Sequence, residues 1–397
     1  MSLSDRFLKS CEENDLEDVK NCLDAGVDAN TVSEQDEEGF TATWSGLTIA
    51  AKKGYPDLLA LLLSQPGIDV NIQTNHYYYV CPDWTPLMFT CHEDNHEIVM
   101  TLLQVPGVNI NHKDDADWTA QHEAAAGGHS ECLKELAKMP GVEWNGVGPN
   151  GRTPLFEALH SGNPDCVRII LAQPGLDLTV KDEDSLSLTE VAVTSLLIYG
   201  EFEEIVEILV DVPGVDLNAK MSGGLTPIQH CLAYHVFGWG DTKKFEILVN
   251  SPRVDVNIQN DAGITPIVWC LQSLSETEDE AVEEAFKILL SSPRVELSFA
   301  ITWAREQNQM NIVKQLGEVL ESRAADAKNK LKRSWRGLCP FRAGGLRMDE
   351  MLMMKTRLQL KKFRQETDQP AQKRDGDGSN NNDDHEEKRL KGGVSYY

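Results

Sequence analysis

Gly151–Asp184 reads GRTPLFEALHSGNPDCVRIILAQPGLDLTVKDED, and its punctuation divides it into two helices and a loop. Thr153 is placed to cap a helix, with Pro154 at the first helical position, where a missing N–H costs nothing. A short apolar run, LFEALHSG, leads to a turn at Gly162-Asn163, and a second, amphipathic segment, PDCVRIILAQ, follows. Pro174-Gly175 stops that segment, and LDLT enters an extended connection. Neither helix can bury its apolar stripe alone, so the segment needs neighbours of its own kind.

Those neighbours are in the sequence. The closing string recurs at Pro66–Asn71 (PGIDVN), Pro106–Asn111 (PGVNIN), Pro140–Asn145 (PGVEWN), Pro213–Asn218 (PGVDLN), Pro252–Asn257 (PRVDVN) and Pro293–Ser298 (PRVELS), and AGVDAN at Ala25–Asn30 begins the series. Successive prolines from Pro66 are 40, 34, 34, 39, 39 and 41 residues apart. Eight residues past the end of the string come Thr119, Thr153, Ser187, Thr226 and Thr265, three of them followed by proline. Two signals in phase mean a solenoid that grows by addition, so a chain of 397 residues needs no second globular core.

Gly-x-Thr-Pro-Leu-x-x-Ala, a downstream Gly-His or Gly-Asn and a closing Val-Asp-Val-Asn together resemble the ankyrin repeat. Gly151–Asp184 is close to that pattern, and Asp115–Asn145 (DADWTAQHEAAAGGHSECLKELAKMPGVEWN) is a recognisable relative. The resemblance covers residues 5–320. It implies an all-α solenoid of about eight to nine helix-turn-helix repeats with hairpin fingers, which binds proteins through its finger tips and concave face. The first repeat (Ser10–Asn30) lacks the Thr-Pro half and the last (Ala300–Leu320) lacks a following finger, as capping repeats do. In the second repeat, Gly39-Phe40-Thr41 and Gly46-Leu47-Thr48 compete for the helix-opening position. His122 and His129 fall at family positions whose hydrogen bonds tie a finger and an inter-helix turn to the neighbouring repeat.

Departures from the base spacing locate insertions. Asn71 to Thr85 is 14 steps instead of eight, so this finger, NIQTNHYYYVCPDW, carries six residues beyond the base spacing. Later insertions fall near Thr194–Gly200, His235–Asp241 and Ser273–Glu280, and equivalent positions predict one continuous ledge opposite the fingers. Three consecutive tyrosines cannot all point inward from an extended finger. Tyr77, Tyr78, Tyr79, Trp84 and Trp118 are therefore candidate partner-binding residues, with Trp239 in the second ledge insertion. The alternative is that the long finger folds back and buries its rings.

Charge separates the chain into two parts. The formal charge of −26 is the sum of −32 over residues 1–320 and +6 over 321–397. The acidic part excludes generic phosphate-backbone binding and favours basic protein partners. Nine scattered cysteines with no Cys-x-x-Cys pair read as reduced thiols of a cytosolic or nuclear protein. No apolar run approaches a membrane span. His92-Glu-Asp-Asn-His96 matches H-E-x-x-H, the signature of a zinc hydrolase, but that motif needs one continuous helix. Here Leu87–Cys91 is the first helix, Asp94-Asn95 the turn and His96 the start of the next helix. No phosphate loop or activated nucleophile is present, so a monomeric, non-enzymatic scaffold without cofactor or metal is the expectation.

Residues 321–364 form a basic, partly helical segment with net +10 between Arg323 and Arg364. It suits self-masking of the acidic array, recruitment of a partner, or nucleic-acid binding, which stays open for the tail alone. Leu331–Pro340 faintly resembles the opening of a box that recruits a cullin ubiquitin ligase, without the Leu-Pro-x-Pro that follows it. A ligase-adaptor role is therefore the alternative function. Residues 365–397 have almost no aliphatic content and are expected to be disordered, and their Lys/Arg pairs form a loose bipartite nuclear signal.

Overall fold

A computed structural model describes residues 2–33, 43–74, 83–199, 203–221, 224–236, 242–276, 279–336, 357–358 and 361. Contacts divide the chain into two compact parts, Met1–Leu316 and Gly317–Tyr397. Among the described residues the first part is built from consecutive helix pairs: α1 (Leu3–Glu12) with α2 (Leu16–Asp24), α3 (Gly46–Lys53) with α4 (Pro56–Leu63), and α5 (Pro86–His92) with α6 (His96–Leu103). Then come α7 (Ala120–Ala126) with α8 (Ser130–Ala137), α9 (Pro154–Ser161) with α10 (Pro164–Leu171), and α11 (Leu188–Tyr199) with α12 (Glu203–Asp211). The series closes with α13 (Pro227–Val236) and α14 (Thr242–Asn250), α15 (Pro266–Glu276) and α16 (Glu280–Ser291), and α17 (Ser298–Glu306) and α18 (Met310–Arg336). First helices pack on first helices and second on second along the stack. Within the second part, α18 continues to Arg336.

Local chemistry sets each boundary. Pro86, Pro154, Pro227 and Pro266 occupy the first position of their helices, behind a buried threonine. In the second repeat α3 opens at Ser45, which neither competing triplet contains, with Gly46 first in the helix and Thr48 third. Ser45 caps α3 by accepting from the Thr48 N–H, and the Thr48 hydroxyl accepts in return from the Ser45 N–H at 2.9 Å. The string glycines Gly67, Gly107, Gly141, Gly175 and Gly214 stop the second helices at φ of 76° to 100°, where a side chain would be strained.

The string's last residue joins one repeat to the next. Asn30, Asn71, Asn111, Asn145, Asn218 and Asn257 each donate through Nδ2 to a backbone carbonyl of the following string (Gly67, Gly107, Gly141, Gly175, Arg253 and Arg294) at 2.7–2.9 Å. Each Oδ1 accepts from an N–H two residues beyond that carbonyl, at 2.7–3.0 Å. Thr179 breaks the ladder, because its hydroxyl turns back to Asp177 in its own string. A second ladder runs through the inter-helix turns. The residue before each second helix reaches back one repeat, from Asn95 to the Ala51 carbonyl, from His129 to that of His92 and from Asn163 to that of Gly128.

The fingers close through isolated bridges, Val32 with Ser45, Thr74 with Trp84 and Lys181 with Ser187, and no strand forms among the described residues. A finger this short satisfies its backbone by side-chain turns instead. Asp114 Oδ1 accepts from the N–H groups of Ala116 and Trp118, and Asn260 Oδ1 does the same for Ala262 and Ile264. The later insertions lengthen the first helices: α11, α13 and α15 have 12, 10 and 11 residues against seven for α5 and α7. Their remaining residues, at 200–202, 237–241 and 277–278, lie outside the described residues, so the ledge is not seen.

Candidate partner-binding site at the finger roots

The residue just before each helix-opening serine or threonine closes the root of its finger. In three consecutive repeats it is tryptophan: Trp44, Trp84 and Trp118. Each uses its carbonyl oxygen to accept from the opposite side of the root, from Ser33 N at 2.8 Å, Thr74 N at 3.0 Å and Asp114 N at 3.0 Å. The backbone therefore fixes three indoles in register on one edge of the stack.

Their surroundings differ. Trp84 is 3 % exposed, and its Nε1 donates to Asp114 Oδ2 at 2.9 Å, while its ring meets Phe89 at 5.0 Å and His92 at 5.3 Å. That corrects the expectation that Trp84 faces a partner: the indole satisfies a neighbouring finger's carboxylate and belongs to the interior. Trp118 is half-buried, 6.0 Å from the His122 ring. Trp44 is half-buried as well, with Phe89 at 5.3 Å and the Lys52 ammonium 4.6 Å from its ring centre. Tyr77, Tyr78, Tyr79 and Trp239 lie outside the described residues. Trp44 escaped the sequence reading because the helix-opening position near 39–48 was ambiguous. Once Ser45 is the cap, the step from Trp44-Ser45 to Trp84-Thr85 and Trp118-Thr119 is plain.

Three histidines and a glutamate behind this edge are engaged in hydrogen bonds. His92 Nδ1 donates to Glu123 Oε2 at 3.0 Å, which raises the His92 pKa above its ordinary value. Burial raises that of Glu123, against the pull of His92. His122 is buried, and its Nδ1 accepts from the Thr119 hydroxyl at 2.8 Å while Nε2 donates to the Arg152 carbonyl at 3.2 Å. Desolvation lowers its pKa to about 4. His122 and His129 thus tie finger and turn to neighbouring repeats, as expected. His92 ends α5 and His96 begins α6, across Asp94 at φ 57°. The two imidazoles do not share the helix face that the zinc motif requires. Among the described residues no group of three or more His, Cys, Asp or Glu is placed to hold a metal ion, and no helix is long and apolar enough to cross a membrane.

A family model for ankyrin repeats matches the chain in three overlapping copies, at residues 7–114, 47–142 and 87–182. Residues 7–182 are ankyrin repeats. The match contains the three-tryptophan edge, and the same helix pairs continue beyond it to α17. No curated protein matches the chain. The ankyrin repeat is a protein–protein interaction module, and the family is typically non-enzymatic.

Proposed function

We propose that the ankyrin array is a scaffold or adaptor that holds a protein partner along its finger edge, with the basic segment 321–364 regulating or recruiting. The observation that carries this reading is the register of Trp44, Trp84 and Trp118, which leaves two half-buried indoles at finger roots on either side of the buried Trp84. Half-buried tryptophans on a rigid backbone are efficient contact residues, because little conformational entropy remains to be lost on binding. The partner is basic, in keeping with the net −32 of residues 1–320. We read the compartment as cytosol or nucleus. Support comes from seven buried cysteines that remain free thiols, among them Cys91, Cys132 and Cys166.

Affinity capture from native cells tests the reading. The full chain is compared with Trp118→Ala and with a variant in which Tyr77, Tyr78 and Tyr79 are all alanine. Loss of the same partner from both variants, with unchanged thermal unfolding, is the expected result. Identical partner lists for all three baits would refute the finger edge as the binding surface.

A further inference from the structure

The fourth residue past each helix opener is buried in the stack, and in two consecutive repeats it is a glutamate. Phe89, Glu123, Glu157 and Val191 hold equivalent positions after Thr85, Thr119, Thr153 and Ser187, and all four are buried. The flanking phenylalanine and valine show that the fold asks for no charge there. Glu123 and Glu157 are 5 % and 9 % exposed, on α7 and α9, which pack against each other. Burial raises the pKa of both.

The two carboxylates differ in their partners. Glu123 accepts from His92 Nδ1. The Glu157 carboxylate accepts no hydrogen bond and joins no ion pair among the described residues. His160 and Arg152 favour its charge from a distance, Glu123 opposes it, and Arg152 Nε lies 3.6 Å from Asp182 Oδ2 instead. A buried charge left unpaired is costly until a cation reaches it. His160 stands one helical turn on, on the same face of α9, and is half-buried, so that face meets solvent. Its Nδ1 donates to the Phe156 carbonyl at 2.8 Å, which leaves Nε2 an acceptor. Acceptors therefore gather here without a donor. Trp84 meets Phe89 at 5.0 Å, and the residues at the Trp84 position of the next two repeats are Trp118 and Arg152. By register, the glutamates belong to the finger-root edge.

Building on the partner-binding reading above, we propose that Glu157 anchors a lysine side chain of a basic partner segment, with Glu123 behind it and His160 Nε2 beside it. A lysine head is compact, carries three donors and rides on a flexible four-carbon stem, which suits a recessed carboxylate better than the planar fork of arginine does.

Fluorescence anisotropy on the full chain at pH 7.5, with labelled nona-lysine and its Nε-trimethylated analogue, tests this. The two peptides carry the same charge, and only the first has side-chain donors. Glu157→Gln should weaken nona-lysine binding about tenfold, the scale of one charge-assisted hydrogen bond. Glu97→Gln, which removes an exposed carboxylate, should change it by about twofold or less. Wild type should prefer nona-lysine to the trimethylated peptide, and Glu157→Gln should not. Because the substitution also removes a buried unpaired charge, the variant should unfold at the wild-type temperature or above it, which separates lost binding from lost structure. Equal effects of Glu157→Gln and Glu97→Gln, or a preference for nona-lysine that survives Glu157→Gln, overturns the anchor. Either result leaves the finger-edge reading to its own capture experiment.

Discussion

At single positions, the array solves one problem with different residues, and the differences make predictions. His122 links its helix cap to the next finger by accepting from Thr119 and donating to the Arg152 carbonyl. Gln229 makes the same link with an amide: Oε1 accepts from Thr226 N at 3.1 Å, and Nε2 donates to the Ile264 carbonyl at 2.6 Å. An amide does not titrate. Because the folded His122 has a pKa near 4 and the unfolded one about 6.5, the unfolded chain binds the extra proton between those values. The histidine's contribution is therefore fully present above about pH 6.5 and is lost as pH falls, by about 3 kcal/mol at pH 4. His122→Gln should leave stability at pH 7.5 nearly unchanged and flatten its decline between pH 6.5 and 4 in urea titrations. A second position is suboptimal. Gln121 is 0 % exposed where adjacent repeats have Leu87 and Leu155, and its Oε1 has no hydrogen-bond partner among the described residues. Its amide donates to Asn111 Oδ1, which also accepts from Glu143 N and so stays satisfied without it. Gln121→Leu should stabilise the fold by about 1–2 kcal/mol, read as a higher urea midpoint at constant m.

Between elements, stability lies in the joints. Arg253 stands where earlier strings have glycine, and its guanidinium donates to the carbonyls of Val210, Val212 and Val215 at 3.1, 2.6 and 2.5 Å. Arg294 repeats the device on the carbonyls of Val249 and Val254. Both arginines reach the carbonyl-rich end of the preceding second helix, the negative end of its dipole. Arg253→Ala should cost about 2–3 kcal/mol, and Arg253→Lys should recover little of it, since one ammonium cannot span the forked set. The change from PG to PR was visible in the sequence; its meaning was not, because the acceptors lie about 40 residues upstream, in the previous repeat. The repeats and helix openings were legible because each is a local signal, proline after threonine or glycine after proline, recurring in phase. The three-tryptophan edge was only half legible. Trp84 and Trp118 were found, but burial of Trp84 depends on Asp114 of the next finger, and Trp44 was hidden by an ambiguous cap.

Over the whole array, linear construction makes the weakest joint consequential. Each repeat touches only its neighbours, so cooperativity passes from end to end only if every interface is strong compared with the repeats it joins. Six asparagines in the strings clamp the following string with a bond in each direction, and Thr179 alone in the series between Asn30 and Asn257 does not. What crosses that joint includes the exposed Arg168–Glu204 pair at 2.5 Å, which salt screens and which contributes little. The array should therefore open as two blocks, α1–α10 and α11–α16. Native-state hydrogen exchange in low urea should show amides of the two blocks following separate isotherms, with convergence only near the global transition. Thr179→Asn supplies the missing donor and acceptor opposite Gly214 and Asp216. It should raise the urea midpoint by the equivalent of about 1 kcal/mol and merge the two isotherms. Asn145→Ala should instead add a second break one joint toward the N-terminus, between α7–α8 and α9–α10. A single isotherm for the wild-type array, or a Thr179→Asn protein that exchanges as the wild type does, would mean that apolar stacking alone sets the cooperativity and that the asparagine ladder only fixes register.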